Sequence, residues 1–534
     1  MKNLYASTLA NERYDAIVIG SGVGGLTVGV CLAKGGKKVL VLERHYVPGG
    51  FSHSFKRKNF EWDIGVHYVG RVEDPKSTLR KTFDYVTDGK LQWTGMGDIY
   101  DKAIIDGDEY HFVIGVENQI NKMISYFPKE EKAIRSYYDL INKTADSSTT
   151  FFSEKVMPHW VSWIFGKLMK KGFESQCHRT TYDVIRELTS NEKLISVLCA
   201  QCGNYGLPPR KSSFAIHAMV VHHYLDGGSY PVGGAASIHR LMLKSLEKNK
   251  GQLAIRAGVK RILLEKNKAI GVEMENGDKI YANQIISNAG VHNTFNTLLK
   301  DDEAGKELCV SYNKVKASVA HVCLYIGLDA SDEALNLPRY NFWMYDSYDF
   351  DDTYAKHIID EGSDLPLAYI SFPSAKDPEW SSKHPGTATI QVMTVCPYEW
   401  VAQWEETRWQ KRGDEYDTFK EKYTNQLLEK LYKAVPQVKG HIIASELSTP
   451  LSTKHFSNYG KGEIYGLEHT PYRFGLKSLR PETVYKNLYL TGQDIVTVGV
   501  GGALFSGIIA STRILNRNML WRINKFSQGL SKGN

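Results

Sequence analysis

The sequence predicts an α/β fold built on a doubly wound parallel sheet, and three observations predict it. Ile17-Val18-Ile19 is a short apolar run of the kind buried in a parallel strand. Gly20, Gly22 and Gly25 follow at G-x-G-x-x-G spacing and open a helix that reads from about Gly24 to Gly35. A second apolar strand, Lys38 to Leu42, then ends in Glu43, eighteen residues past Gly25. Strand, glycine turn, helix, strand and acid in that order define a Rossmann-like dinucleotide unit.

Each element has a physical reason. Gly20 lets the chain turn off the strand, Gly22 lets a pyrophosphate approach bare backbone, and Gly25 lets the helix pack closely on the strand. Val23 and Gly24 sit at the helix start, where free N–H groups and the positive dipole end favour an anion. Glu43 can accept hydrogen bonds from a ribose diol and would repel a 2′-phosphate, which excludes NADP. Beyond Arg44, Gly49-Gly50-Phe51-Ser52 gives a second close backbone approach to the same ligand.

At 534 residues the chain is too long for one core, so two or more domains are expected. Net charge is +7, from 66 basic and 59 acidic residues, too even for a nucleic-acid binder. The seven cysteines are scattered and odd in number, which fits a reducing compartment. Cys199-x-x-Cys202 has no second pair at zinc spacing and reads as buried helical cysteines. The His217, His222 and His223 helix lacks zinc spacing, so no metal is expected. Met1 to Arg13 has no signal-peptide core, and no window reaches the ~18 apolar residues of a spanning helix. The expectation is a cytoplasmic protein, peripheral on a membrane.

Along the chain, Phe60 to Gly70 reads as a strand carrying His67 and Tyr68, polar groups that could supply a proton near a redox centre. Leu91 to Val113 reads as a β meander turning at Asp106-Gly107-Asp108. A helix starts near Pro128 with Ile134, Tyr137, Tyr138 and Ile141 on its core stripe. Lys155 to Lys171 mixes Trp160, Trp163, Phe165 and lysines, a segment suited to a headgroup plane or the roof of a greasy tunnel. Strands follow from Leu253, with a hairpin at Asn276-Gly277. A further buried strand from Gln284 ends at Asn288-Ala289-Gly290. A charged helix is expected from about Trp400 to Val435. Loops near a ligand are expected at Ser448–Thr453 and Gly460–Gly466.

The C-terminal block repeats the opening theme. A strand from Asn487 ends at Gly492-Gln493-Asp494, and Gly499, Gly501, Gly502 and Ala503 open another helix, running to about Leu515. The tail beyond it carries Arg517, Arg522, Lys525 and Lys532 among Met519, Leu520, Trp521, Ile523 and Phe526, with no acid. It reads as a basic amphipathic membrane-surface helix.

Together, Gly20-x-Gly22-x-x-Gly25, Glu43, Gly49-Gly50, Asp63-x-Gly65, Asp494 and Gly501-Gly502-Ala503 resemble FAD enzymes of the phytoene desaturase, carotenoid isomerase and retinol saturase family. Phe60–Gly70, Gly206-Leu-Pro-Pro209 with His217, and Tyr230–Gly234 resemble the retinol saturase branch most. The resemblance implies a glutathione-reductase-type discontinuous FAD-binding domain (12–75, 228–295 and 482–516), a mixed α+β substrate domain with a helical membrane-facing cap (76–227 and 296–481), and the basic tail (517–534). It implies FAD with Glu43 at the adenosine ribose, Gly22 and Gly49-Gly50 at the pyrophosphate, Val259 at the adenine edge, Asp494 at the ribityl or pyrophosphate region, and Gly502-Ala503 at the flavin O2. His67, Tyr68 and His217 are the catalytic candidates. The expected reaction is redox chemistry at a C=C bond of a lipophilic polyene, a retinoid or carotenoid. Saturation is the first reading, with desaturation or cis–trans isomerisation as variants. Two rivals are an FAD-dependent fatty-acid double-bond hydratase or isomerase, and a non-enzymatic prenyl-lipid carrier of the same fold. The electron donor is not specified by the sequence.

Overall fold

A computed structural model describes residues 4–157, 166, 169, 172–302 and 310–532. One seven-stranded sheet runs in the order Gln252–Ile255, Val39–Glu43, Arg13–Ile19, Lys279–Ser287, Lys268–Met274, Val259–Glu265, with Leu488–Leu490 also paired to Lys279–Ser287. Its central strands are parallel, with Ile17 beside Leu40 on one side and Ile285 on the other, and Ile286 beside Tyr489. The last two strands form the antiparallel Asn276-Gly277 hairpin, where Gly277 takes a left-handed φ of +92°.

The apolar runs alternate between two faces, as a period of two requires. Ala16, Val18 and Val41 enter one cluster, with Leu26 and Leu32 of helix Val23–Lys34, Ile238 and Leu246 of helix Ala236–Lys248, and Leu504 and Ile508 of helix Gly499–Leu515. Ile17, Ile19, Leu40 and Leu42 enter the other, with Val272 and Ile285. Thus a strand and a helix from the far end of the chain complete the core begun by the first forty residues.

A second seven-stranded sheet, mostly antiparallel, runs Ile442–Ser448, His321–Leu328, Ala388–Val395, Ala368–Ser371, Asn341–Tyr345, Ile99–Ile105, Asp108–Val113. One face packs Val322, Leu324, Ile370 and Val392 against Tyr423, Leu427 and Leu431 of helix Asp414–Ala434. The opposite face carries His321, Tyr369 and Met393 into a large cavity.

Several expectations are corrected. The runs from Lys279 and from Gln284 are one strand, Lys279–Ser287. Phe60–Gly70 is interrupted: Phe60–Asp63 pairs with Ser54–Arg57, and Val69–Gly70 joins a small sheet. Trp93–Gly95 leaves the expected meander to pair with Gly228–Pro231 in that same sheet. The charged helix begins at Asp414, after Gly413 at a φ of +90°, and its start carries Asp414, Glu415 and Asp417 to match the dipole. Thr449 caps a helix, Pro450–Ser457, where a loop was expected. The domain limits at 76 and 517 cut through one packed cluster. Phe83 and Val86 of helix Thr78–Val86, and Met519 and Ile523 of the tail helix Met519–Lys532, are buried with the first helix and sheet. Trp160, Trp163, Phe165, Lys167, Lys170 and Lys171 lie outside the described residues. Among those described, no helix is long and apolar enough to cross a membrane.

Candidate active site

One cavity of about 1730 Å³ runs between the two sheets. Single small-molecule sites span roughly 300–1,000 Å³, so this space has room for a dinucleotide and a second ligand. Its first half is walled by backbone. Gly20, Gly22, Val23 and Gly24 line it with Glu43 and Arg44. Gly22 and Gly49 form an isolated β-bridge, and a Cβ on Gly50 would lie 3.0 Å from Gly22 Cα. The two glycine turns are therefore held together backbone to backbone. Phe51 and Ser52 continue the wall, and Val259, Asn288, Ala289 and Gly492 close its sides.

Two helix starts open on this half. Helix Val23–Lys34 follows Gly22, and helix Gly499–Leu515 begins where Gly501, Gly502 and Ala503 line the cavity. First-turn N–H groups have no carbonyl inside their own helix and present positive charge. A Cβ on Gly499 would meet nothing within 4 Å, and one on Gly501 only Leu79 at 3.7 Å. The backbone here is open to a ligand. These residues fit a flavin-type dinucleotide: one bare helix start for the diphosphate and a second for a ring edge that gains negative charge on reduction.

Glu43 is buried at the far end of this half. One carboxylate oxygen accepts from the Ser21 amide (2.9 Å) and the Ser21 hydroxyl (2.6 Å); the other accepts from the His45 amide (2.8 Å). The strand end, the glycine turn and the acid are thereby locked in register. Arg44 turns away and donates to the His455 carbonyl (3.1 and 3.0 Å).

Three of the candidate residues lie off the cavity wall. A Cβ on Gly25 would strike the Gly20 carbonyl, so this glycine serves helix-on-strand packing. Asp494 points inward, accepting from the Val291 amide and the Leu467 amide, each at 2.8 Å. It ties the chain crossings below the cradle. His217 is clamped between the Tyr137 hydroxyl at Nε2 (2.7 Å) and the Tyr205 hydroxyl at Nδ1 (3.1 Å). Burial holds its pKa at about 3. With both nitrogens engaged inside the helical core, it is a packing histidine.

The second half of the cavity is walled by aromatic side chains: Tyr68, Tyr224, Trp343, Tyr345, Tyr369 and Tyr465, with Leu207, Leu367 and Met393. Tyr68 stacks on Tyr224 with ring centroids 4.2 Å apart. Its hydroxyl donates to Asp101 (2.8 Å) and accepts from the Asn204 amide (3.1 Å). Burial and the Asp101 charge push its pKa well above the ordinary phenol value, so it holds its proton at neutral pH. His67 lines the same chamber, its pKa pushed down to about 3 by burial and by the Lys376 and His321 charges.

Behind Tyr68 lies a buried charge network that sequence reasoning missed. Asp101 accepts from Gln201 (2.6 Å) and from the Asn341 amide (2.9 Å). The Asn341 carbonyl accepts from Lys376, which also donates to the Ser371 hydroxyl (2.8 Å) and the His67 carbonyl (3.2 Å). A carboxylate only accepts and an ammonium only donates, which fixes the Asn341 amide between them. Burial raises the Asp101 pKa to about 6 and lowers that of Lys376 to about 7. The one available signal was a carboxylate inside the apolar strand Ile99–Ile105; Lys376, next to Asp377 and Pro378, looks like surface. Among the described residues, no group of three or more His, Cys, Asp or Glu could hold a metal ion.

The comparisons agree with this geometry. Residues 18–86 match the family described as an NAD(P)-binding Rossmann-like domain. Wild-type putrescine oxidase bound to putrescine superposes with a TM-score of 0.61 over 95% of this chain and 100% of that one, at 12% identity, a likeness of fold. Fold and cradle together define an oxidoreductase with a flavin-type dinucleotide site. An all-trans-retinol 13,14-reductase of Danio rerio is 34% identical over 100% of this chain and 91% of its own length. Prolycopene isomerase 1 of an Oncidium hybrid cultivar is 27% identical over 94% of this chain and 84% of its own. The chain belongs to the all-trans-retinol 13,14-reductase family.

Proposed function

We propose that the chain is an FAD-dependent enzyme that reduces a C=C bond of a lipophilic polyene, a retinoid first and a carotenoid second. The observation that carries the reading is the single cavity joining a backbone-walled dinucleotide cradle to an aromatic chamber. Bound FAD supplies the hydride chemistry. The chain's part is positioning and proton handling. Glu43 takes the adenosine ribose, with Val259 at the adenine edge. Gly22 and the Gly49-Gly50 turn take the diphosphate, and the Gly501–Ala503 helix start faces the flavin ring edge. Tyr68 holds the proton that reaches the second alkene carbon, steadied by Asn204 and Asp101. The aromatic wall excludes water and stacks against the polyene.

The cavity also reaches the surface beside the tail, where Arg513, Arg517, Asn518 and Leu520 line it. The inner face of the tail helix is docked through Met519 and Ile523. Its outer face leaves Leu520 37% and Trp521 60% exposed. We read this mouth as peripheral on a lipid surface, from which an apolar substrate would enter. The test is direct. The purified protein should be yellow with an oxidised-flavin spectrum, and the photoreduced protein mixed with all-trans-retinol should give a product two mass units heavier. A colourless preparation, or a reduced enzyme that reoxidises with no change in retinol, would overturn the reading; a product of unchanged mass but altered geometry would favour isomerisation.

A further inference from the structure

Buried polar groups in folded proteins nearly always find a partner. In the aromatic chamber three do not, and all three belong to residues lining it. Nδ1 of His67, Nδ1 of His321 and the hydroxyl of Tyr369 are buried without a hydrogen-bond partner. His67 and Tyr369 meet edge to face with ring centroids 5.5 Å apart. His321 and Tyr369 stand on one face of the second sheet: Tyr369 is directly across from Met393, and His321 from Val395 of the same central strand. Successive odd positions on that strand share a face, so both side chains enter the chamber from the same wall.

The charge around this cluster narrows what it can bind. Burial keeps both imidazoles neutral, at about 3 for His67 and about 4 for His321. A neutral imidazole offers one donor and one acceptor, and a phenol offers both. The nearest cation is Lys376, whose ammonium has three protons. All three are engaged, by the His67 carbonyl, Asn341 and Ser371. A carboxylate brought here would find no free cationic donor, and a hydrocarbon would leave the three polar atoms unpaired in a dry wall. An alcohol both donates and accepts, and carries no charge.

Resting on the polyene reading above, we propose that His67, His321 and Tyr369 form a subsite for one uncharged oxygen at the end of the polyene, so that an alcohol is taken in preference to the matching acid or hydrocarbon. The subsite separates a hydroxylated substrate from the oxygen-free kind within the same cavity.

The experiment is equilibrium binding to the oxidised holoenzyme at pH 7.5, where no turnover occurs, with three probes of one skeleton: all-trans-retinol, all-trans-retinoic acid and the hydrocarbon axerophthene. Quenching of protein fluorescence and perturbation of the flavin spectrum report occupancy. Retinol should bind about tenfold tighter than either of the others, the scale of one to two neutral hydrogen bonds. His321→Phe and Tyr369→Phe should each weaken retinol several-fold and leave axerophthene unchanged or tighter, in protein whose flavin spectrum is intact. Equal affinity of the wild-type protein for all three probes would overturn the subsite, as would variants that weaken all three alike. Failure of every probe to bind would instead overturn the polyene reading itself. The wild-type comparison decides the matter even if a variant does not fold.

Discussion

At its dinucleotide end the cavity is walled by main chain: glycines at 22, 24, 49, 50, 499 and 501 bring peptide groups to the surface of the site. The acid there, Glu43, is fully hydrogen-bonded by Ser21 and His45. At the other end the wall is side chain throughout, with large rings, a buried Asp–Asn–Lys bridge and polar atoms left without partners. One end is specified by what is absent from its residues, the other by what its residues carry. A cofactor of fixed shape rewards the first solution, since every peptide amide presents the same donor. A substrate of variable shape requires the second.

The contrast can be tested at both ends. The largest expected effect is at the buried bridge. Lys376→Met leaves Asp101 without its compensating charge and should destabilise the fold by about 3–5 kcal/mol, the cost of breaking a buried pair from one side. The double change Lys376→Met with Asp101→Asn should recover part of that loss in chemical denaturation. No recovery would mean that the two charges are not coupled through Asn341.

At the cradle, Gly25→Ala forces a Cβ into the Gly20 carbonyl. It should cost about 1–3 kcal/mol of stability, as overpacking does, together with loss of bound flavin; a variant that retained full flavin content would show that the helix can shift freely. Glu43→Ala should weaken FAD binding by about 1–3 kcal/mol, the scale of a charged hydrogen bond, read by flavin release on dilution. Unchanged retention would remove Glu43 from the ribose.

A smaller effect concerns acid. His67, His217, His223 and His321 have folded-state pKa values near 3 to 4, against 6.5 for an exposed histidine. Between those limits the unfolded chain binds more protons than the folded one, so stability is full above about pH 6.5 and falls as pH drops below it. His217→Gln removes one such group and should flatten the fall in unfolding free energy by up to about 1.4 kcal/mol per pH unit over this window. An unaltered slope would show that His217 is already charged in the fold. The smallest effect is at the rim: replacing Trp521 and Leu520 with Ser should reduce pelleting with anionic liposomes and leave thermal stability nearly unchanged, since both side chains are largely solvent-facing.

The same contrast explains what could be read in advance. The cradle was legible because its constraints are steric and local. Gly20, Gly22 and Gly25 each answer a backbone requirement that a short stretch of sequence displays, and Glu43 follows at a fixed distance. Of the residues assigned to it, Asp494 was located correctly in the chain but serves the crossings beneath the cradle. The chamber was not legible because its chemistry is set by long-range burial. Lys376 lies in a polar stretch and becomes buried only when Asn341, Ser371 and His67 close over it. His217, in a motif-like setting, is silenced by tyrosines 80 and 12 residues away. His321 opens a strand that reads as pure core, and only the sheet's register turns it toward open space.

The pairing of Leu488–Leu490 with Lys279–Ser287, itself paired with Arg13–Ile19, also sets a timetable. During synthesis the N-terminal glycine turn leaves the ribosome almost five hundred residues before Gly501 and Gly502 arrive to complete the cradle. Contacts so distant in sequence form slowly, so the nascent chain must wait, half-built, until its last segment emerges. Cofactor capture is then the closing event of biogenesis, and flavin supply at that moment governs how much of the newly made chain matures.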